Sequence, residues 1–375
     1  MKIKLFEMER MQSLWENVVD YNLSESGVHP LLLKDLLKPA ELKKTLRTSL
    51  GYIQSDGTKG LKEQIARLYP GADLNQILVT SGSSEANYLT VWKNVEPGDE
   101  VIFELPNYMQ MGGLAKSYGA RVKPLYLRES LGWEPDLDEL RKLVTKKTKM
   151  IMITNPNNPT GAILSREAVE TTIDLASKVG AWIVADEVYQ GAERDGQTTP
   201  SFWGKYDKLF VVSGLSKAYG LPGLRLGWLV GPAKAIDRTW PYHDYTTISL
   251  SAMSDRLGQI ALSPEFRGKI LKRTRAILNY NYPILSSWLK RQADIFNFIP
   301  PKAGAICFVR YNFRMNSIEL VKKLIDEKSV LIVPGEHLGL DGYLRIGFGN
   351  EEPYLRAGLA RIKAALRSFK TARRR

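Results

Sequence analysis

Residues 210–231 read FVVSGLSKAYGLPGLRLGWLVG, two apolar runs separated by a loop of small residues that carries Lys217. Residues 210–212 predict a short buried strand, 214–223 an irregular loop and 226–230 a second strand. Lys217 therefore falls just past a strand end, with Arg225 further along the same loop. Desolvation and a nearby cation both pull a lysine below its usual pKa of about 10.4, and the neutral amine is then a nucleophile able to form a Schiff base. A solvated surface lysine is the competing reading of this stretch on its own.

Three further stretches repeat the same placement. The apolar run 150–154 leads into the proline-rich loop Asn155-Pro156-Asn157-Asn158-Pro159-Thr160-Gly161. The run 182–185 leads into Asp186-Glu187-Val188-Tyr189, and the run 77–80 into Ser81-Gly82-Ser83-Ser84, after which 85–93 has helical character. Ligands of open α/β sheets bind outside the carboxyl ends of the strands, so four polar clusters at four strand ends describe one site. A strand turning into a helix at Gly82-Ser83-Ser84 aims free N–H groups and a positive helix end at that site, which suits a phosphate; helix capping alone also accounts for the serines.

SLSKAYGLPGLRLGW around Lys217, NPNNPTG around Asn158, ADEVYQG around Asp186 and SGSSEA around Gly82 resemble the class I/II aminotransferases, the fold type I pyridoxal-phosphate enzymes. Order and spacing match from about residue 22 to residue 361. The resemblance implies pyridoxal 5′-phosphate as cofactor and Lys217 as the residue that forms the aldimine and then moves the substrate's Cα proton. It implies that Asp186 pairs with the pyridine nitrogen, that Asn158 and Tyr189 bond the ring's phenolic oxygen, and that Tyr108 stacks on the ring. Gly82, Ser83, Ser84, Ser216 and Arg225 would cradle the phosphate. Many relatives carry a serine or threonine three residues before the lysine where this chain has Gly214, which leaves Ser213 and Ser216 as alternatives for that hydroxyl. Gly27 would let the backbone approach the amino acid, and Arg345 in the short strand around YLRIG would clamp its α-carboxylate. Tyr52 matches a tyrosine that reaches the phosphate of the other subunit, implying a homodimer with shared sites; a tyrosine packed under a loop fits the same residue.

The rest of the chain sets bounds. It has 375 residues, 44% hydrophobic and 25% charged, an ordinary globular composition with room for more than one domain. Cys307 is the one cysteine and His29, His243 and His337 are scattered, so neither a disulfide nor a metal-ligand spacing is expected. The charged start MKIKLFEMERMQ predicts no secretory signal, no apolar run approaches a membrane span, and a cytoplasmic protein is expected. A net charge of +13 raises nucleic acid as a partner, but the clusters at 141–149 and 269–275 fall on or beside amphipathic helices, where such runs are solvated faces. Small-molecule amino acid and 2-keto acid substrates are the expected partners, with neither nucleic acid nor membrane.

Strand and helix patterns alternate from about 77 to 230, which predicts an α/β fold with a mainly parallel, mixed sheet covered on both faces. Residues 5–15 predict a short helix, 18–23 a strand, 61–69 a helix, 165–178 a capped helix and 264–292 long helical sequence containing Pro283. Strands at 306–309 and 330–333 and helices at 318–327 and 352–369 predict a second, smaller α/β unit. The expected organisation is an N-terminal segment 1–45 packing with the small domain, a large cofactor-binding domain 46–280 and a small domain 281–375. A narrower resemblance, carried by Ser26-Gly27-Val28-His29 and Asp244-Tyr245, is to the capreomycidine synthases, relatives that eliminate and cyclise a hydroxylated arginine. On that resemblance Glu25 and Asp244 are candidates to face a guanidinium. Transamination of an L-α-amino acid is the expected reaction and lyase or cyclase chemistry its alternative.

Overall fold

A computed structural model describes residues 3–371. Its centre is an eight-stranded mixed sheet in the order Ile77–Thr80, Gly227–Val230, Leu209–Gly214, Trp182–Asp186, Thr148–Thr154, Glu100–Leu105, Arg121–Arg128 and Glu134–Pro135. The five strands from 209–214 to 121–128 run parallel, and antiparallel pairings close both ends of the sheet.

Alternation along the central strands explains their unbroken apolar runs. Val101, Phe103, Met150, Met152, Val184, Phe210 and Val212 pack on one face, and Ile102, Ile151, Ile153, Ile183, Ala185 and Val211 on the other, all of them buried. Helices cover both faces, so neither set of alternate side chains meets water. The Arg166–Val179 helix is capped by the Ser165 hydroxyl, which accepts from the Ala168 N–H at 3.2 Å, and ends at Gly180 in the left-handed conformation.

The C-terminal part builds a second, antiparallel sheet in the order Phe296–Phe298, Ile306–Tyr311, Tyr343–Gly347, Val333–Pro334, backed by the Ser317–Lys328 and Glu352–Thr371 helices. Two sequence expectations change here. The strand expected at 18–23 shrinks to Tyr21–Asn22, because its one partner is the equally short Val330–Leu331. The strand expected at 330–333 is two pieces: Val330–Leu331 pairs with the N-terminal segment, and Val333–Pro334 pairs with Tyr343–Gly347. The residues 264–292 form one helix, Pro264–Lys290, that carries Pro283 within it.

Candidate active site

Strand register gathers the polar clusters. Thr80 and Gly214 both face Gly227, and Asp186 lies opposite Thr154 on one side and Val212 on the other. The loops after these strands therefore leave the sheet at one edge. Together with residues from the N-terminal segment and Arg345 they enclose a cavity of about 360 Å³. Ser83, Ser84, Tyr108, Asn158, Asp186, Tyr189, Ser216, Lys217, Arg225 and Arg345 all line it.

One end is built for an anion. Gly82 has φ +85° and starts the Ser83–Asn94 helix without any side-chain cap, so the first N–H groups of the helix are offered to the cavity. The Arg225 guanidinium lies across this turn, only 2.6 Å from where a Cβ on Gly82 would sit. Gly227 is pressed on the same turn: a Cβ there would come within 2.3 Å of the Gly82–Ser83 backbone. Gly214 has a similar cause, since a Cβ would approach the Leu226 carbonyl to 2.9 Å. Of the two alternative serines, Ser216 lines the cavity, whereas Ser213 turns its hydroxyl toward the Glu187 carbonyl at 3.5 Å.

Deeper in the cavity, Asp186 is buried, and burial raises its pKa against two opposing hydrogen bonds. Its Oδ2 accepts from Asn87 Nδ2 at 2.9 Å and its Oδ1 from the Val188 N–H at 3.1 Å. Sequence reading missed Asn87, which stands four residues after Ser83 on the same helix, a spacing that returns to the same face. The Tyr189 hydroxyl donates to Ser26 Oγ at 2.8 Å, and the Tyr108 hydroxyl to Glu9 Oε1 at 2.9 Å. Arg345, 1% exposed in the middle of its strand, donates through Nη1 to Asn158 Oδ1 at 2.9 Å and through Nη2 to the Ser24 carbonyl. Its Nε is buried without a hydrogen-bond partner among the described residues.

Lys217 differs from expectation. Its Nζ donates to Glu25 Oε1 at 2.8 Å, and that oxygen also accepts from the Ser26 and Gly27 N–H groups at 2.9 Å each. Burial disfavours the ammonium, but the Glu25 charge, Tyr189 and the hydrogen bond outweigh it, so the lysine's pKa is raised rather than lowered. Burial likewise opposes the Glu25 carboxylate, yet the charge and hydrogen bond of Lys217, the Gly27 N–H and Arg345 hold it down at about 2. Gly27 itself makes its close approach to the backbone of Ser216 and Lys217, while Glu25 and Ser26 of that loop line the cavity.

Several other candidates fall outside the cavity. Tyr52 is 87% exposed, and Asp244 is an exposed residue at the end of the Ala233–His243 helix. His29 is a satisfied polar residue, with its Nδ1 and carbonyl oxygen each 2.9 Å from Arg273 Nη2. Met8, Glu9, Gln12 and Glu16, from the Glu7–Trp15 helix and its C-cap, line the cavity unanticipated. No group of three or more His, Cys, Asp or Glu among the described residues could hold a metal, and no described helix is long and apolar enough to cross a membrane.

Residues 21–362 match the family model for aminotransferase class I and II. The chain belongs to that family. Capreomycidine synthase from Streptomyces vinaceus is 32% identical over 359 residues, covering 94% of this chain and 92% of that one. A pyridoxal-phosphate-dependent aminotransferase from Streptococcus suis superposes with a TM-score of 0.92 at 36% identity, over 98% of this chain and 99% of the other. The pyridoxal-phosphate-dependent cyclase OrfR superposes at 0.89 with 26% identity, over 98% of each chain.

Class I/II aminotransferases work with pyridoxal phosphate, and the residues present fit that group. The uncapped helix start beside Arg225 suits its phosphate, and the buried Asp186 carboxylate suits a protonated ring nitrogen. Asn87 Oδ1 and Arg345 Nε are buried polar atoms still lacking partners, as expected of a site shaped around a polar occupant.

Proposed function

We propose that this protein moves the amino group of an L-α-amino acid to a 2-keto acid, with pyridoxal phosphate bound at Lys217. The observation that carries the reading is a single cavity shared by Lys217, Asp186, Asn158, Tyr189, Arg225 and Arg345. When bound there, the pyridine ring supplies an electron sink that makes the substrate's Cα proton removable. Arg225, Ser216 and the N–H groups of Ser83 and Ser84 would hold the phosphate, the Gly82 N–H being taken by the Thr80 carbonyl at 2.9 Å, and Tyr108 would lie against the ring. Asp186 keeps the ring nitrogen protonated, aimed by Asn87 and the Val188 N–H. Asn158 and Tyr189 orient the phenolic oxygen. Arg345 binds the α-carboxylate, and its bond to Asn158 couples substrate placement to ring placement. Lys217 Nζ would act as the base and acid that moves the substrate's Cα proton. Tyr52 of a second copy completes the phosphate site, and the division at residues 45 and 280 separates a large cofactor-binding unit from a small one built by both chain ends.

Elimination followed by cyclisation is the second reading, favoured by the likeness to capreomycidine synthase and by a machinery that serves either outcome. Absorbance of the holoenzyme separates the two. In transamination an amino donor converts the cofactor to its amine form and a 2-keto acid reverses the change. If no donor yields the amine form while a β-hydroxylated basic amino acid loses water, the cyclase reading replaces it.

A further inference from the structure

The charges lining the cavity are segregated. Its cations each have an assignment in the reading above: Arg225 at the phosphate, Arg345 at the α-carboxylate, Lys217 at the cofactor. Beyond Asp186, its anions are Glu9, Glu16 and Glu25, all contributed by the N-terminal helix, its C-cap and the segment that follows. This local excess of carboxylates stands in a chain with 53 Lys and Arg against 40 Asp and Glu. Among the described residues neither Glu9 nor Glu16 lies within ion-pair distance of a lysine, arginine or histidine, and Glu25 pairs only with Lys217. That one pair is lost as soon as Lys217 Nζ is committed to the cofactor.

Helix electrostatics explain only part of this arrangement. Glu9 in the first turn is favoured by the positive end of its helix, but Glu16 is the C-cap, where the negative end opposes a carboxylate. Partial burial and the neighbouring Glu25 and Glu9 charges raise the Glu16 pKa, and the Lys217 charge offsets only part of this. Arg345, 1% exposed with an unpartnered Nε, marks the carboxylate end of the bound molecule; Glu25 and Glu9 lie close enough to act on its charge, and the rest of that molecule is received in a cavity whose remaining anions outnumber its free cations.

Building on the amino-acid reading of the site, we propose that the substrate's side chain is cationic, a guanidinium or ammonium, and that Glu9, Glu16 and Glu25 select it. An acidic side chain meets three like charges there, and a neutral one leaves them unpaired.

Arginine and citrulline provide the test, since they share nearly the same shape and differ in charge. Holoenzyme is titrated with arginine, lysine, citrulline, leucine and glutamate, and affinity is read from the cofactor's absorbance and independently by calorimetry. Arginine or lysine is expected to bind at least tenfold tighter than citrulline, with glutamate weakest. Glu16→Gln, an exposed change that leaves the fold intact, should erase much of that preference while leaving citrulline unaffected, and Glu16→Lys should improve glutamate. Citrulline, leucine or glutamate binding as tightly as arginine overturns the proposal and leaves the amino-acid reading standing. If no amino acid perturbs the absorbance, the underlying reading of the site fails as well.

Discussion

Lys217 and Glu25 are 192 positions apart in sequence and 2.8 Å apart in the fold. The sequence around the lysine carries its placement at a strand end, but the carboxylate that controls its charge comes from a different segment, so local reading assigned the pKa shift the wrong sign. The pair makes a direct prediction. In cofactor-free protein, Glu25→Gln removes the charge that outweighs desolvation, so the Lys217 ammonium is destabilised and its pKa falls. The rate of Lys217 acylation by an amine-reactive reagent, followed by peptide mass spectrometry across pH, should therefore rise at lower pH in the variant. An unchanged midpoint means that Glu25 is not the controlling charge.

Among the elements, the strand Glu100–Leu105 does more than contribute to the sheet. It ends with buried Glu104, whose Oε2 accepts from the Thr154 N–H at 2.8 Å and from the Asn107 and Asn157 amides at 3.3 and 3.4 Å. One carboxyl thus ties together the loops that present Tyr108 and Asn158. Burial, against those hydrogen bonds, pushes its pKa up to about 8, so the group is protonated at neutral pH. A raised pKa in the folded state means that the folded protein holds a proton the unfolded chain has released. Its contribution to stability is complete below the ordinary carboxylate value of 4.5 and is lost as pH rises toward about 8. Glu104→Gln should remove this share of the decline, so that Tm between pH 5 and 8 falls less steeply in the variant than in the parent, the remaining fall including that of buried Glu187, whose pKa burial raises to about 7. Parallel profiles would show that Glu104 is ionised throughout. Glu104 was legible only as the end of an apolar run, because its partners lie in other segments. By contrast the strand 77–80 and the capped helix after Ser165 follow directly from local pattern and cap chemistry. What failed locally was the strand at 18–23, whose extent depends on a two-residue partner more than three hundred positions away.

At the scale of the whole molecule, large apolar side chains remain on the surface of a single chain. Leu46, Leu50, Tyr52, Tyr245 and Ile248 are 78%, 82%, 87%, 82% and 49% exposed. Trp240 Nε1 bonds Ser55 Oγ at 3.0 Å, tying the Ala233–His243 helix, which precedes Tyr245 and Ile248, to the segment that follows Tyr52. A second copy of the chain covering this region would bury side chains that otherwise face water, which fits the proposal that each Tyr52 serves the other copy's site. The shared-site homodimer therefore predicts complementation between two inactive variants. Tyr52→Ala removes a contact supplied to the neighbouring site, and Lys217→Ala removes the lysine of its own. In a hybrid dimer one site carries both defects and the other carries neither. Random exchange of equal amounts makes half the dimers hybrid, with one intact site each, so activity should recover to about a quarter of the parent value. Native mass spectrometry confirms that exchange has taken place. Hybrid dimers without activity would place Tyr52 outside the neighbouring site, whatever the oligomeric state.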